Sequence, residues 1–116
     1  MSAQPQTQNP TTISTLPPTP APSPAVLIQA AKLAMAQDKP ILLDYYMDSA
    51  TEKAFVGEDP DTKEKMLVKS ADEFTSLIQK MYAVGTDYII MTENSIYITS
   101  GAMKKRKIQA SSLRHE

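Results

Sequence analysis

SADEFTSLIQKMYAVGTDYIIMTENSIYITS, residues 70–100, is the stretch from which most of the fold is predicted. Its first half indicates an amphipathic helix. Ser70 and Glu73 match a capping box, in which each side chain accepts a hydrogen bond from the other residue's backbone amide at a helix N-terminus. Gly85 is the expected helix stop, because glycine enters the left-handed conformation without steric cost. Between them, large apolar residues recur at the spacing of one helix face. They are Phe74, Leu77, Ile78, Met81 and Tyr82.

The second half of the stretch predicts a β-hairpin. Two runs of strand-forming residues, 88–92 and 95–99, flank Glu93 and Asn94, and asparagine tolerates the left-handed backbone that tight turns need. In the first run both alternating faces are apolar, so we expect this strand to lie in the centre of a sheet. The whole stretch is therefore interpreted as the folding centre of the chain.

A further helix is predicted at 23–37. Ser23 is suited to cap its first turn, and Pro24 suits the first helical position, where a missing N–H costs nothing. Apolar residues follow two helical spacings at once, so the apolar stripe is broad. We expect this helix to cover one face of the sheet. The alternative is an oligomerisation or partner helix, in which small alanines allow close approach.

Three short strands are predicted between the two helices. Residues rich in β-forming side chains occupy 41–47, 54–57 and 64–69, and turn-forming residues separate them. We expect these strands to form an antiparallel meander. The acidic loop at 58–61 lacks the ligand spacing, glycine and glutamate of an EF-hand, so it predicts a solvated turn rather than a metal site.

Together these elements predict an α+β domain over residues 23–108. The expected architecture is an N-terminal helix and an antiparallel sheet of about five short strands, with a second helix between strands 3 and 4. Residues 1–22 are rich in Pro, Thr and Gln. We expect them to form a disordered tail, because they carry too little apolar surface to offset the entropy of ordering. Residues 109–116 are expected to form a flexible C-terminal tail.

Composition argues against most kinds of catalytic site. The 116 residues leave room for one domain and include no cysteine, which excludes disulfides, thiolate zinc sites and iron–sulfur clusters. The only histidine, His115, is the penultimate residue, and three glycines form no phosphate-binding loop. These features predict a protein that is not an enzyme, binds no cofactor or metal, and resides in a reducing intracellular compartment. No apolar run reaches the length of a membrane span, so no membrane partner is expected.

Charge is distributed unevenly, although the net charge is only −1. Residues 38–100 carry a net charge of −6, whereas residues 101–116 carry +4. Most of the positive charge lies in one segment, the basic run. It consists of Lys104, Lys105, Arg106 and Lys107. One interpretation is a solvated edge strand or tail. The other is contact with nucleic-acid phosphates or with a nuclear import receptor, which would direct the protein to the nucleus.

Three segments of the chain resemble those of a known group of proteins. DKPILLDYYMDS (38–49), MLVKSADEFTSLI (66–78) and YIIMTENSIYI (88–98) are similar to sequences in small, uncharacterised proteins of large nucleocytoplasmic DNA viruses. The resemblance implies a viral accessory protein or a virion component. Its motifs are structural rather than catalytic, so it implies no site residues.

The function predicted from these features is a non-enzymatic protein-interaction or structural module, such as a virion-associated protein. Its expected partner is another protein or a second copy of itself. The alternative is a nucleic-acid-associated protein that uses the basic run. The acidic body argues against this alternative, because it would repel phosphates everywhere outside the C-terminal segment.

Overall fold

Strands dominate the folded domain. A computed structural model describes residues 20–109, which form two helices and seven strands. In chain order these are α1 (Pro24–Gln37), β1 (Ile41–Leu42), α2 (Tyr46–Ala50), β2 (Phe55–Glu58), β3 (Lys65–Ser70), β4 (Glu73–Val84), β5 (Asp87–Thr92), β6 (Ile96–Ser100) and β7 (Lys105–Lys107). The strand order is β1-β6-β5-β4-β3-β2-β7. The predicted α+β class is confirmed.

The strands form two mixed sheets that share β4. The first sheet contains β1, β6, β5 and β4, and the second contains β4, β3, β2 and β7. β1 pairs in parallel with β6, and β7 pairs in parallel with β2, whereas the other pairs are antiparallel. The prediction of a single antiparallel sheet is therefore wrong in its arrangement.

β4 joins the two sheets because its halves pair with different neighbours. Residues 73–77 pair with β3, and residues 78–84 pair with β5. The register with β5 shifts between Ile78 and Lys80, where one extra residue forms a β-bulge. Such a bulge bends and twists a strand, so a single strand of 12 residues contributes to both sheets.

The predicted second helix, between strands 3 and 4, is wrong because this segment is β4. Ser70 pairs with Glu73 across a two-residue turn, and the Ser70 hydroxyl accepts a hydrogen bond from the Asp72 amide (3.2 Å) instead of capping a helix. The segment is rich in β-branched and aromatic residues, which favour strands. Strand pairing along both halves of the segment outweighs the helical spacing of its apolar residues.

The strand predicted at 41–47 is mostly replaced by other structure. Only the two residues of β1 are extended, and they pair with β6 rather than with β2, so the predicted meander does not form. The chain then enters α2. Tyr45, just before this helix, and Tyr46, its first residue, pack in different hydrophobic cores, because a helical backbone directs adjacent side chains to different sides. The buried Ser49 hydroxyl ties α2 to β6 by accepting a hydrogen bond from the Ser100 amide (2.8 Å).

The predicted N-terminal helix is confirmed as α1. The Ser23 hydroxyl accepts a hydrogen bond from the Val26 amide (3.2 Å), and Pro24 occupies the first turn. The helix ends at Asp38, which adopts a left-handed conformation with φ of 55°. Capping and proline placement therefore determine both boundaries of this helix locally.

Four of the predicted strands correspond to observed ones. β2 and β3 form an antiparallel pair, and β5 and β6 form the predicted hairpin. β5 is central, as its two apolar faces predict, since Ile89 contributes to one hydrophobic core and Ile90 to another. The basic run contributes the edge strand β7.

Two hydrophobic cores lie on opposite faces of the first sheet. α1 covers the first core, which contains Val26, Ala30, Ile89, Met91, Ile96 and Ile98. The second sheet contributes to the other core, which contains Tyr45, Val56, Leu67, Ile90 and Met103. The domain is thus layered as α1, first sheet and second sheet, and burial of these side chains supplies the main stabilising free energy.

The predicted tails fall almost entirely outside the described residues. Residues 1–19 and 110–116 are not described, so the disordered tail at 1–22 and the flexible tail at 109–116 stay predictions. The elements of the described residues run from α1 to β7, and the domain span of 23–108 stays a prediction.

Two glycines are required next to β4, β5 and β6, each for a different reason. The Gly101 amide donates to the Thr86 carbonyl (2.7 Å), and a Cβ at Gly101 would lie 2.4 Å from that same oxygen. Gly85 has a φ of 60° in the turn between β4 and β5, but no atom lies within 4 Å of its Cβ position. Gly101 is therefore required for a close backbone approach, whereas Gly85 is required only for its conformation.

Gly101→Ala is expected to lower the free energy of unfolding by about 2 kcal/mol or more, because backbone would have to move away from the new methyl group. Gly85→Ala is the matched control, and only its left-handed conformation opposes the change, at a cost of about 1 kcal/mol. Urea denaturation followed by circular dichroism measures both. A neutral Gly101→Ala substitution would contradict the close approach to Thr86.

Candidate functional site

The outward side of α1 carries exposed apolar side chains. Ile28 and Met35 are 56% and 79% exposed, and Leu27 is 40% exposed. Ala31 lies among them and is also exposed. These residues form one stripe, because positions three, four, seven and eight residues apart lie on the same side of a helix. We refer to Leu27, Ile28, Ala31 and Met35 as the α1 outer face.

α1 is apolar on its inward side as well. Val26 and Ala30 are fully buried against the first sheet. A helix that is apolar all round is normally covered all round, and contiguous exposed apolar patches mark contact surfaces. Lys32 is the only charged residue of α1, so little charge opposes contact. The broad apolar stripe in the sequence is the signal that indicates this surface.

A buried carboxylate fixes the N-terminus of α1 on the first sheet. Asp87 is 3% exposed, and one of its oxygens accepts a hydrogen bond from the Ser23 amide (3.0 Å). Its other oxygen accepts from the Tyr46 hydroxyl (2.9 Å), which also lies 3.0 Å from the Ala21 carbonyl oxygen. Both carboxylate oxygens are therefore engaged in structural hydrogen bonds. Sequence reasoning missed this role, for which the signal is an acidic residue at the start of an apolar strand.

Burial raises the pKa of three tyrosines. Desolvation raises the pKa of Tyr46 to about 12, and the hydrogen bond to Asp87 and the charge of Asp87 act in the same direction. Desolvation also raises the pKa of Tyr45 and of Tyr97. The last two rings meet edge to face at 5.4 Å. A proton-transfer group works best with a pKa near the working pH, and these shifts move the hydroxyls away from it.

The basic run lies on the outer edge of the second sheet. All four side chains are exposed, and the last three residues form β7. The Val56 amide donates to the carbonyl of Lys104 (2.9 Å), and the Ile108 amide donates to the carbonyl of Glu58 (3.0 Å). Gly57 makes room for this strand, because a Cβ there would lie 2.8 Å from the Ile108 side chain. The run is thus held in place by backbone pairing.

Three of the four side chains in the basic run contact the domain itself. Lys104 pairs with Glu52 (3.4 Å), and Lys105 pairs with Glu58 (3.6 Å). The Arg106 guanidinium lies 4.8 Å from the centre of the Phe55 ring. Exposed ion pairs of this kind contribute about 0–1 kcal/mol, so a phosphate group is able to compete with these carboxylates for the lysines.

Other kinds of site have little support in the described chain. Residues 20–109 contain no group of three acidic, histidine or cysteine side chains placed to hold a metal ion. Neither described helix combines the length and the apolar character that a membrane crossing requires. Comparison of the chain with protein-family models, curated proteins and solved structures finds no match. The resemblance to small viral proteins therefore stays a prediction.

Alkaline pH is expected to destabilise the fold through Tyr46. Its pKa of about 12 in the folded protein exceeds the ordinary value of about 10 for tyrosine in an unfolded chain. Between these values the folded state retains a proton that the unfolded state loses, so stability is complete below pH ~10 and falls as pH rises toward ~12. Tyr46→Phe is expected to flatten this decline in part, because Tyr45 and Tyr97 contribute in the same direction.

Urea denaturation at a series of neutral to alkaline pH values measures this effect. Tyr82→Phe is the matched control, because it removes a tyrosine hydroxyl outside the Asp87 network. An unchanged pH profile for Tyr46→Phe relative to the wild type would contradict the contribution of Tyr46.

Proposed function

We propose that this protein is a non-enzymatic interaction module that self-associates through the α1 outer face. The observation that carries the proposal is the apolar character of α1 on both sides, with one side buried and the other exposed. Burial of exposed apolar surface is the dominant favourable contribution to most protein association. The anchoring of α1 by Asp87 supports the proposal further, because a surface that is already rigid loses less entropy on binding.

A second copy of the chain suits this surface for two reasons. One charged side chain, Lys32, borders the α1 outer face, and its long aliphatic stem lets the ammonium group extend away from an apolar contact when two identical faces pair around a two-fold axis. Ala31 lies in the middle of the face, and a small residue there lets two helices approach closely. A virion-associated role, as the viral resemblance predicts, is compatible with repeated contacts between identical subunits.

Ile28→Lys is expected to weaken self-association at least about tenfold, since a loss of roughly 1.4 kcal/mol corresponds to a factor of ten. The substitution introduces a charge that would be buried without a partner in the contact. Gln29→Lys is the matched control, because it adds the same charge to the neighbouring exposed position outside the face. Sedimentation velocity over a wide range of protein concentration measures the dissociation constant.

A chain that stays monomeric at every concentration would overturn the proposal. Equal weakening by Ile28→Lys and Gln29→Lys would also overturn it, because general charge repulsion would then explain the effect.

Phosphate binding by the basic run is the second candidate function. It is favoured by one observation, the exposure of all four side chains on an edge strand. The ion pairs with Glu52 and Glu58 oppose it, because a phosphate must displace these carboxylates. No stacking aromatic accompanies the run on β7, so binding would depend on charge and would be insensitive to base sequence.

If this second function holds, a short single-stranded oligonucleotide is expected to bind with an affinity that falls steeply with salt concentration. Replacement of Lys104, Lys105, Arg106 and Lys107 by alanine is expected to abolish that binding. Fluorescence anisotropy of a labelled oligonucleotide measures both effects. Binding that survives the four substitutions would exclude the basic run as the contact.

A further inference from the structure

One edge of β4 has no strand partner over half of its length. After the bulge at Gln79, residues 80–84 pair with β5 on one side, but β3 pairs only with residues 73–77. Within the described chain, no other strand covers the β3-facing side of residues 79–84. We refer to this side of residues 79–84 as the β4 open edge. An edge of this kind presents free backbone N–H and C=O groups to an incoming strand.

The turn after β4 determines which backbone groups point to the open edge. Val84 and Asp87 flank a two-residue turn, so they form a hydrogen-bonded pair of the β4–β5 ladder. Hydrogen-bonded and non-hydrogen-bonded pairs alternate along an antiparallel ladder. The backbone groups of Tyr82 are therefore directed toward β5, whereas those of Met81 and Ala83 are directed toward the open edge.

A groove lined by apolar and basic residues lies along the β4 open edge, where β3 and β4 diverge. Leu77 and Met81 line it and are 41% and 40% exposed. Three lysines also line it, namely Lys63, Lys65 and Lys80. In the part of the chain that the structure describes, these three lysines form no ion pair.

The groove is electrostatically unlike the rest of the body. Its only acidic lining residue is Glu64, whose carboxylate accepts a hydrogen bond from the Thr62 hydroxyl (3.3 Å). The formal charge of the lining is therefore positive, although residues 38–100 carry −6 overall. A concentration of unpaired positive charge beside free backbone groups favours a negatively charged, extended occupant.

We infer that this groove binds an extended segment of a partner protein in which acidic and apolar residues alternate. The segment adds a strand to β4 and forms backbone hydrogen bonds with Met81 and Ala83. Its apolar side chains, on one face of the added strand, pack on Met81. Its carboxylates pair with the lysines that line the groove.

A second copy of the chain fits the β4 open edge less well. Antiparallel pairing of two such edges would bring two sets of Lys63, Lys65 and Lys80 together, and like charges oppose association. The groove is also separate from the α1 outer face. Tyr82 and Val84 pack with the core beneath α1, whereas Met81 pairs with Ile90 and shares its face of the sheet. The inference therefore does not depend on self-association.

Binding is tested with a fluorescent synthetic peptide of alternating glutamate and valine. A lysine–valine peptide of equal length is the control ligand. The glutamate–valine peptide is expected to bind the full chain, and the variant with Lys63, Lys65 and Lys80 changed to Gln is expected to bind it at least about tenfold more weakly. The matched control variant changes Lys104, Lys105 and Lys107 to Gln, which removes the same charge from the basic run. Anisotropy titrations give the affinities, and circular dichroism verifies that the variants are folded.

Amide hydrogen exchange of the unmodified protein tests the binding mode independently. The Met81 and Ala83 amides are expected to exchange fast in the free protein and to become protected when the glutamate–valine peptide binds, while Tyr82 is protected in both states. Four results would each overturn the inference. The first two are no binding of this peptide and equal affinity for the lysine–valine peptide. The others are equal weakening by the basic-run variant and protection at β1 or β7 in place of β4. None of these measurements depends on the Ile28→Lys experiment, so the two proposals fail separately.

Discussion

The β-bulge in β4 is the constraint on which both sheets depend. Before the bulge, Ile78 packs with the core between the two sheets, and beyond it Tyr82 and Val84 pack with the core beneath α1. An extra residue at this position changes which alternate side chains face each core, because side chains in a strand alternate with a period of two. The bulge also lets β4 leave β3 and continue along β5. The open edge of β4 is the direct result of this change of partner.

The bulge also explains why the segment 70–84 is predicted as a helix from sequence alone. The extra residue brings Ile78 and Met81, three positions apart, onto one face of the sheet, and this spacing also fits one face of a helix. In the fold Ile78 is half-buried, whereas Leu77 remains 41% exposed. Ser70 and Glu73 have the spacing of a capping box, but a two-residue hairpin turn separates paired residues by the same interval. Pairing with β3 and β5 decides that this segment forms a strand and not a helix. The sequence of the segment alone does not contain the information that these partners exist.

The sequence predicts an element correctly where that element depends on interactions between residues close together in the chain. Ser23 and Pro24 predict the start of α1, and the β5–β6 hairpin follows from two apolar runs around a short turn. The apolar outer face of α1 is visible in the sequence as a stripe that is too broad for one core. The sequence also suggests two interpretations of the basic run, and one of them is the exposed edge strand that the structure has. An acidic residue at the start of an apolar strand is the only local signal of the Asp87 network, and its partners come from distant segments. The parallel pairing of β1 with β6 and of β7 with β2, and the β4 groove, also depend on contacts between distant segments.

The three exposed surfaces differ in chemistry, and this difference limits what each can bind. The α1 outer face has no charge, so the hydrophobic effect drives its contact and salt should change it little. The groove beside β4 combines unpaired lysines with free backbone groups, so its occupant needs both extended geometry and negative charge. The basic run has more positive charge in sequence, but Glu52 and Glu58 already pair with two of its lysines. Because the α1 outer face is directed away from the first sheet and the groove lies along the edge of β4, self-association leaves the groove accessible. A pair of chains would then present two grooves, and a partner with two acidic segments would bind the pair more tightly than a single chain, through the effective concentration of the second site.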